Sequence, residues 1–297
     1  MSLPRVWING AENTKICVFD RGLSYGDGFF TTALVVNGKW LNAEAHLWRI
    51  QTGCHRLQLP LVNEDVLLRQ VKDSLAQLGS KPSELLVLKL MITRGQGGRG
   101  YQLPEECTPT IIVQWMSSPA TLDLPEPLRL LQLQTPLSVN PLIAGLKHLN
   151  RLENVLAKSE LANTVFADGL MENAFGRVVC SSQANLFALQ GDKLLTPKMH
   201  DSGVHGTVRF ALQKLSNELG YQWIEQDFTW SELLQVDALF LSNAIRGIMP
   251  IASLQLAEGD EHQYDSRYQA KVSAIAESFN AYQLTKAIDL TEITGNN

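Results

Sequence analysis

A chain of 297 residues with 45% hydrophobic and 19% charged residues carries enough apolar material for one large core or two ordinary ones. Its net charge of −5, with no long run of one sign, argues against nucleic acid or a membrane surface as the main partner. Cys17, Cys54, Cys107 and Cys180 are not closely spaced and the six histidines form no HExxH grouping, so neither a disulfide framework nor a metal is expected.

In chain order, Val6–Asn9 and Ile16–Phe19 read as short strands. Phe29–Val36 is a longer strand closed by Asn37-Gly38, a hairpin turn pair. Ala43–Leu57 is helical, because Leu47, Ile50, Cys54 and Leu57 recur on one face. A second helix follows Asn63 as N-cap, with Val66, Val71, Leu75 and Leu78 inward. Leu85–Thr93 and Thr110–Met116 are β-rich, and the glycine-rich RGQGGRGY between them is too glycine-rich for regular structure. Residues 117–127 hold three prolines and read as a linker. This divides a domain of residues 1–116 from one of residues 128–297.

The second part opens with a strand at Leu128–Gln134. Leu149, Leu152 and Leu156 then form a helical stripe reaching about Ala162. Strands are expected at Val178–Val179, Asn185–Leu189, Lys193–Leu195 and Ala238–Ser242. A helix from Thr207 should stop before Gly220, and a last one should run from Ser266 to Lys286. The terminal TGNN is expected to fray. The opening MSLPRVWING lacks a charged-then-apolar signal pattern, and no stretch approaches the roughly 18 apolar residues of a spanning helix. A soluble cytoplasmic protein is therefore expected.

Lys147 in GLKHLNRLENVLA is the first chemical candidate. A lysine amine is useful as a nucleophile or base only when it is neutral often enough, and its free pKa is about 10.4. Burial and nearby positive charge push it down, and Arg151 lies four residues on. The same local sequence also suits an exposed lysine at a helix start.

GLKHLNRLENVLA occurs together with YGDGFFTT, HLWRIQTGCHRL, RGQGGRGY, SQANLF, SGVHGTVR and SNAIRGIMP. In that set and order the chain resembles the fold-type IV pyridoxal-phosphate enzymes from about Trp7 to Pro250. The group holds branched-chain and D-amino-acid aminotransferases and aminodeoxychorismate lyase. YGDGFFTT, RGQGGRGY and the KHLNRLE run are most similar to the lyase branch. The resemblance implies a two-domain α/β (α+β) fold, with a smaller N-terminal α/β domain and a larger C-terminal pseudobarrel. It implies pyridoxal 5'-phosphate as cofactor and a homodimer as the assembly. The implied reaction is elimination from 4-amino-4-deoxychorismate, giving 4-aminobenzoate and pyruvate. Transfer of an amino group from a D- or branched-chain amino acid is the runner-up, and a binding or scaffold protein that has lost catalysis is a third reading.

The resemblance also implies site residues. Lys147 matches the Schiff-base lysine and general base. Arg49 matches an arginine that binds the cofactor phosphate. Gly206 and Thr207 open a helix, where free N–H groups and the dipole favour an anion, and match the phosphate cradle. Ser242 and Asn243 match a second phosphate contact. Phe30 and Thr32, on one face of a strand, match the substrate pocket, while Thr31 points away; Thr32 is a candidate catalytic contact. Arg94 and Arg99 bracket the glycine loop, and at least one of them is expected to bind a substrate carboxylate.

One position departs from the family. A glutamate ordinarily meets the pyridine nitrogen of the cofactor just before SQANLF, and Cys180 stands there in this chain. Glu172, eight residues upstream, is out of register for the role. A thiol holds the nitrogen protonated less well than a carboxylate. Transamination should suffer more from this than an elimination with a good leaving group and an aromatic product.

Overall fold

The computed structural model describes residues 4–79, 85–118 and 122–291. The chain divides into two compact units. Described residues within Met1–Thr121, Lys147–Asn150 and Gln283–Asn297 make the first, and those within Leu122–Leu146 and Arg151–Tyr282 the second. Residues 147–150 and the C-terminal segment thus group with the N-terminal unit. Part of the expected linker and the terminal TGNN lie outside the described residues.

In the first unit the elements are β1 (Arg5–Ile8), β2 (Ala11–Glu12), α1 (Arg21–Tyr25), β3 (Gly28–Val36), β4 (Lys39–Trp40), α2 (Ala43–Arg56), α3 (Glu64–Leu78), β5 (Leu85–Thr93) and β6 (Thr110–Ser117). Its sheet runs from a terminal strand at Ile288–Asp289 through β4, β3, β5, β6 and β1 to β2. The β3–β5 and β5–β6 ladders are long and antiparallel. Asn37 and Gly38 both take positive φ, 52° and 74°, as the β3–β4 hairpin turn requires. One face of the sheet packs Phe29, Ala33, Leu88, Leu90 and Trp115 against Ile50 and Cys54 of α2 and Leu67 and Val71 of α3. Asn63 caps α3 through Val66 N at 3.1 Å.

Two expectations fail in this unit. Ile16–Phe19 is irregular, with Val18 and Phe19 exposed, because the paired partner of β1 is Ala11–Glu12 instead. Val66 is exposed and Leu67 is buried in its place, since the true stripe is Leu67, Val71, Ser74 and Leu75.

The second unit contains β7 (Leu128–Gln132), α4 (Leu152–Glu160), β8 (Asp168–Glu172), β9 (Val178–Ser181), β10 (Asn185–Gln190), β11 (Lys193–Pro197), α5 (Thr207–Leu215), β12 (Gln222–Gln226), α6 (Trp230–Leu233), β13 (Ala238–Asn243), β14 (Gly247–Gln255) and β15 (Glu261–Gln263), followed by α7 (Gln269–Thr285). The strand path β10–β13–β14–β7–β8–β9 returns to β10 through a pairing of Cys180 with Asn185, so the sheet closes on itself. This is the expected pseudobarrel. Leu186, Ala188, Leu239, Leu241, Met249 and Ile251 fill one side of the strands. Phe187, Leu189 and Phe240 point the other way, onto Val208 and Leu212 of α5 and Val272 and Phe279 of α7. Burying each such side chain contributes about 1.5–3 kcal/mol.

β14 was not expected. Its Pro250 is accommodated in the strand, and the ladder shifts register between Ile251 and Ser253. The stripe from Leu149 is also corrected. The helix begins only at Leu152, and Leu152, Val155 and Leu156 are exposed on it. Among the described residues no helix is long and apolar enough to cross a membrane.

Candidate active site

Lys147 does not start a helix. It lies on a short extended segment that pairs with the beginning of β3. Phe30 N donates to Lys147 O at 2.9 Å, Leu149 N donates to Gly28 O at 3.0 Å, and Phe29 and His148 form an antiparallel bridge. These bonds hold the half-buried Lys147 ammonium 4.6 Å from the Phe30 ring centroid, a cation–π distance. Phe30 and Thr32 share the face of β3 opposite the core residues Phe29 and Ala33, as strand alternation dictates.

A second amine, absent from the sequence expectations, joins this face. Lys89 of β5 stands opposite Thr32 in register, and its ammonium is 5.1 Å from the same Phe30 ring. Burial lowers the Lys89 pKa. Only the β3–β5 register brings it here.

On the other face of β3, Thr31 is buried against α2. Its hydroxyl meets His46 Nδ1 at 2.6 Å and accepts from Arg49 Nη1 at 3.3 Å. Burial pushes Arg49 down to about 10. Burial, then the field of Arg49, holds His46 well below the usual histidine range, so its ring is neutral.

The glycine loop is fastened by Asp27 of YGDGFFTT. Arg21 donates to Asp27 at 2.9 Å, and Arg94 Nε and Nη2 grip the two carboxylate oxygens at 2.8 and 3.1 Å. Burial opposes ionisation of Asp27, but the two guanidinium groups outweigh it and hold its carboxyl below the ordinary value. Arg94 also donates to Gln58 O and Leu57 O, at 2.9 and 2.7 Å. The sequence expectation is that at least one of Arg94 and Arg99 binds a carboxylate; four hydrogen bonds to protein commit the buried Arg94 guanidinium to the framework. Arg99, at the exposed end of the loop, is the loop arginine still open to solvent.

In the second unit Gly206 is the N-cap of α5 and Thr207 its first residue. Gly206 has no side chain to cap the helix, and the first turn carries no acidic residue, although Thr207 and Val208 are buried there. Asn185 ties the approach to this turn by donating to Val204 O at 2.8 Å. Across the strand pair from Asn185 is Ser242, which is buried and whose Oγ has no hydrogen-bond partner among the described residues. A buried hydroxyl left in this way costs free energy unless something outside the chain bonds it. Asn243, expected to contact the same group, instead spends its side-chain oxygen on Ile245 N and Arg246 N at 3.0 and 2.8 Å. This is a turn role for the side-chain oxygen, which as an acceptor is not the atom that would meet a phosphate.

Cys180 is buried in β9, between Met171 of β8 and Asn185 of β10. Glu172 does not replace it: Trp230 Nε1 donates to its carboxylate at 2.5 Å, and it stands opposite Val178 rather than Cys180. Just after Cys180, the Ser181 and Ser182 hydroxyls both donate to the buried carboxylate of Asp168, at 2.8 and 2.5 Å, fixing the turn into β10.

The donors in the second unit suit a phosphate: a buried helix start without an anionic cap, and beside its approach loop a buried hydroxyl without a partner among the described residues. A family model described as amino-transferase class IV matches residues 28–254. Aminodeoxychorismate lyase of Vibrio harveyi is 33% identical over 255 residues, 85% of this chain and 92% of that protein. The crystal structure of 4-amino-4-deoxychorismate lyase from Pseudomonas aeruginosa matches with a TM-score of 0.79 and 35% identity, covering 92% of this chain and 98% of that one. A putative branched-chain-amino-acid aminotransferase of Methanocaldococcus jannaschii is 28% identical over 255 residues, 83% of this chain and 86% of that protein.

Proposed function

Because the chain belongs to the amino-transferase class IV family, we propose that it is a pyridoxal-phosphate-dependent lyase that converts 4-amino-4-deoxychorismate to 4-aminobenzoate and pyruvate, a step toward folate. The observation that carries this reading is the Lys147 amine, held by backbone bonds to β3 on the face that Phe30 and Thr32 share. The similarity to two lyases over most of the chain supports the choice of substrate.

Bound pyridoxal phosphate supplies an electron sink for the pair left when the amine-bearing carbon loses its proton. Lys147 would hold the cofactor through its side-chain amine. Its amine would take the proton from the carbon bearing the substrate nitrogen. The C–O bond on the adjacent carbon then breaks, enolpyruvate departs, and the ring becomes aromatic. Gly206, Thr207 and Ser242 would hold the phosphate, and the resemblance assigns Arg49 to the same group. Lys89 and Arg99 supply positive charge for the substrate's two carboxylates, and Thr32 lines the pocket beside the leaving group. Cys180 would take the place of the family's carboxylate beside the pyridine nitrogen, a change that would favour elimination over transamination.

The chain works as a cytoplasmic homodimer in this reading. Exposed Val18, Phe19 and Leu23 of the first unit, and Leu152, Val155 and Leu156 of the second, are apolar surfaces that a second copy would cover. Sedimentation equilibrium at twice the chain mass is the expected result.

The test is direct. Purified protein mixed with aminodeoxychorismate should release pyruvate and 4-aminobenzoate in equal amounts without a keto acid, and Lys147→Ala should release neither. The 28% identical relative keeps an aminotransferase as the competing reading. That reading requires an amino acid alone to convert the cofactor to its amine form. Full cofactor occupancy with neither reaction would leave only a binding role.

A further inference from the structure

The Thr31–His46–Arg49 chain has a defined polarity. A guanidinium only donates, so the Thr31 hydroxyl accepts from Arg49 Nη1. The hydroxyl hydrogen then points to His46 Nδ1, 2.6 Å away. Thr31 is 1% exposed, and a hydroxyl hydrogen left without an acceptor at such a site is costly. The arrangement that satisfies both groups is Arg49 N–H to Thr31 O–H to a bare His46 Nδ1, with the histidine proton on Nε2. It requires a neutral ring, which burial and the neighbouring Arg49 enforce. His46 and Arg49 are three residues apart on α2 and so share a face toward β3.

We propose that Thr31 and His46 are positioning residues that set the angle of the Arg49 guanidinium toward the cofactor's phosphate. This role presupposes that Arg49 is a phosphate ligand. It adds two residues that touch neither cofactor nor substrate, on the strand face turned away from Phe30 and Thr32.

The experiment measures dissociation constants of the apoprotein for pyridoxal phosphate and for pyridoxal, which lacks the phosphate, by absorbance titration without substrate. Thr31→Val keeps the shape and removes the hydroxyl. It should weaken pyridoxal phosphate binding about tenfold, the loss of one hydrogen bond to a charged group, and leave pyridoxal binding unchanged. Thr31→Ser should restore the wild-type value. His46→Gln should shift the same ratio, and the double variant should lose less than the sum of the two, as coupled neighbours do. Should Thr31→Val fail to fold, His46→Gln carries the same readout.

Equal losses for both aldehydes would mean a purely structural role and would overturn the proposal. So would an unchanged ratio in Thr31→Val alongside an Arg49→Ala variant that abolishes phosphate discrimination. A wild-type protein that does not distinguish the two aldehydes would instead remove Arg49 as a phosphate ligand, and this proposal with it.

Discussion

Asn185 Oδ1 lies 1.8 Å from the point where a Cβ on Gly206 would sit, so the carboxamide that braces the α5 approach occupies space only glycine leaves open. Gly206→Ala must displace Asn185 and break its bond to Val204 O. The expected outcome is a loss of about 1–2 kcal/mol of stability and at least tenfold weaker pyridoxal phosphate binding. Denaturant unfolding and cofactor titration check the two effects.

Ser242→Ala separates stability from binding by sign. The Ser242 hydroxyl is buried without a partner among the described residues, so removing it should leave the apoprotein as stable or up to about 1 kcal/mol more stable. Cofactor affinity should fall several-fold. A variant that loses apoprotein stability instead would show that the hydroxyl is satisfied within the fold.

Arg94→Met strips Asp27 of its two-pronged partner. We expect destabilisation of about 2–4 kcal/mol, because a largely buried carboxylate loses a cation. The pH dependence follows from the depressed Asp27 pKa. Its contribution is complete above the unfolded value of about 3.9 and disappears as pH falls through the lower folded value. Wild-type stability should therefore drop in that acid window, and the drop should flatten in Arg94→Met. Arg99→Ala should leave stability within about 0.5 kcal/mol and raise KM instead.

Lys89→Met tests the second amine beside Phe30. It should lower kcat/KM for the dicarboxylate substrate by about 10–100-fold, mainly through KM, with the cofactor spectrum unchanged. A change in kcat alone would move Lys89 from substrate binding to proton transfer.

Cys180→Glu asks what the departure at this position does. The variant should gain an amino-acid half-reaction, seen as loss of the cofactor's visible absorbance on adding an amino acid alone, while pyruvate release persists. A variant with no gain would mean that the thiol does not restrain transamination.

Much of this molecule is legible as local pattern. The β3 and β5 boundaries, the Asn37-Gly38 turn, the Asn63 cap and the start of α5 at Thr207 all follow from alternation, turn chemistry and capping, which are properties of neighbouring residues. The misreadings share another cause. Val66 and Leu67 differ by one position on a helix, and only the opposing sheet selects between them. Pro250 sits in a nine-residue strand because the closed sheet supplies the pairing that the proline weakens.

The amino-acid order by itself determined which side chains are available: a lysine within a recurring set of motifs, a glycine-opened helix, an arginine on α2, a cysteine in place of an acid. Tertiary structure alone decided what each is free to do. Arg94 and Arg99 are the same residue type at two ends of one loop, yet Asp27 and two carbonyls consume the first. Lys89 reaches Phe30 only through strand register. Hydrogen-bond commitment and burial depend on partners tens of residues away, and such distances leave no trace in local spacing.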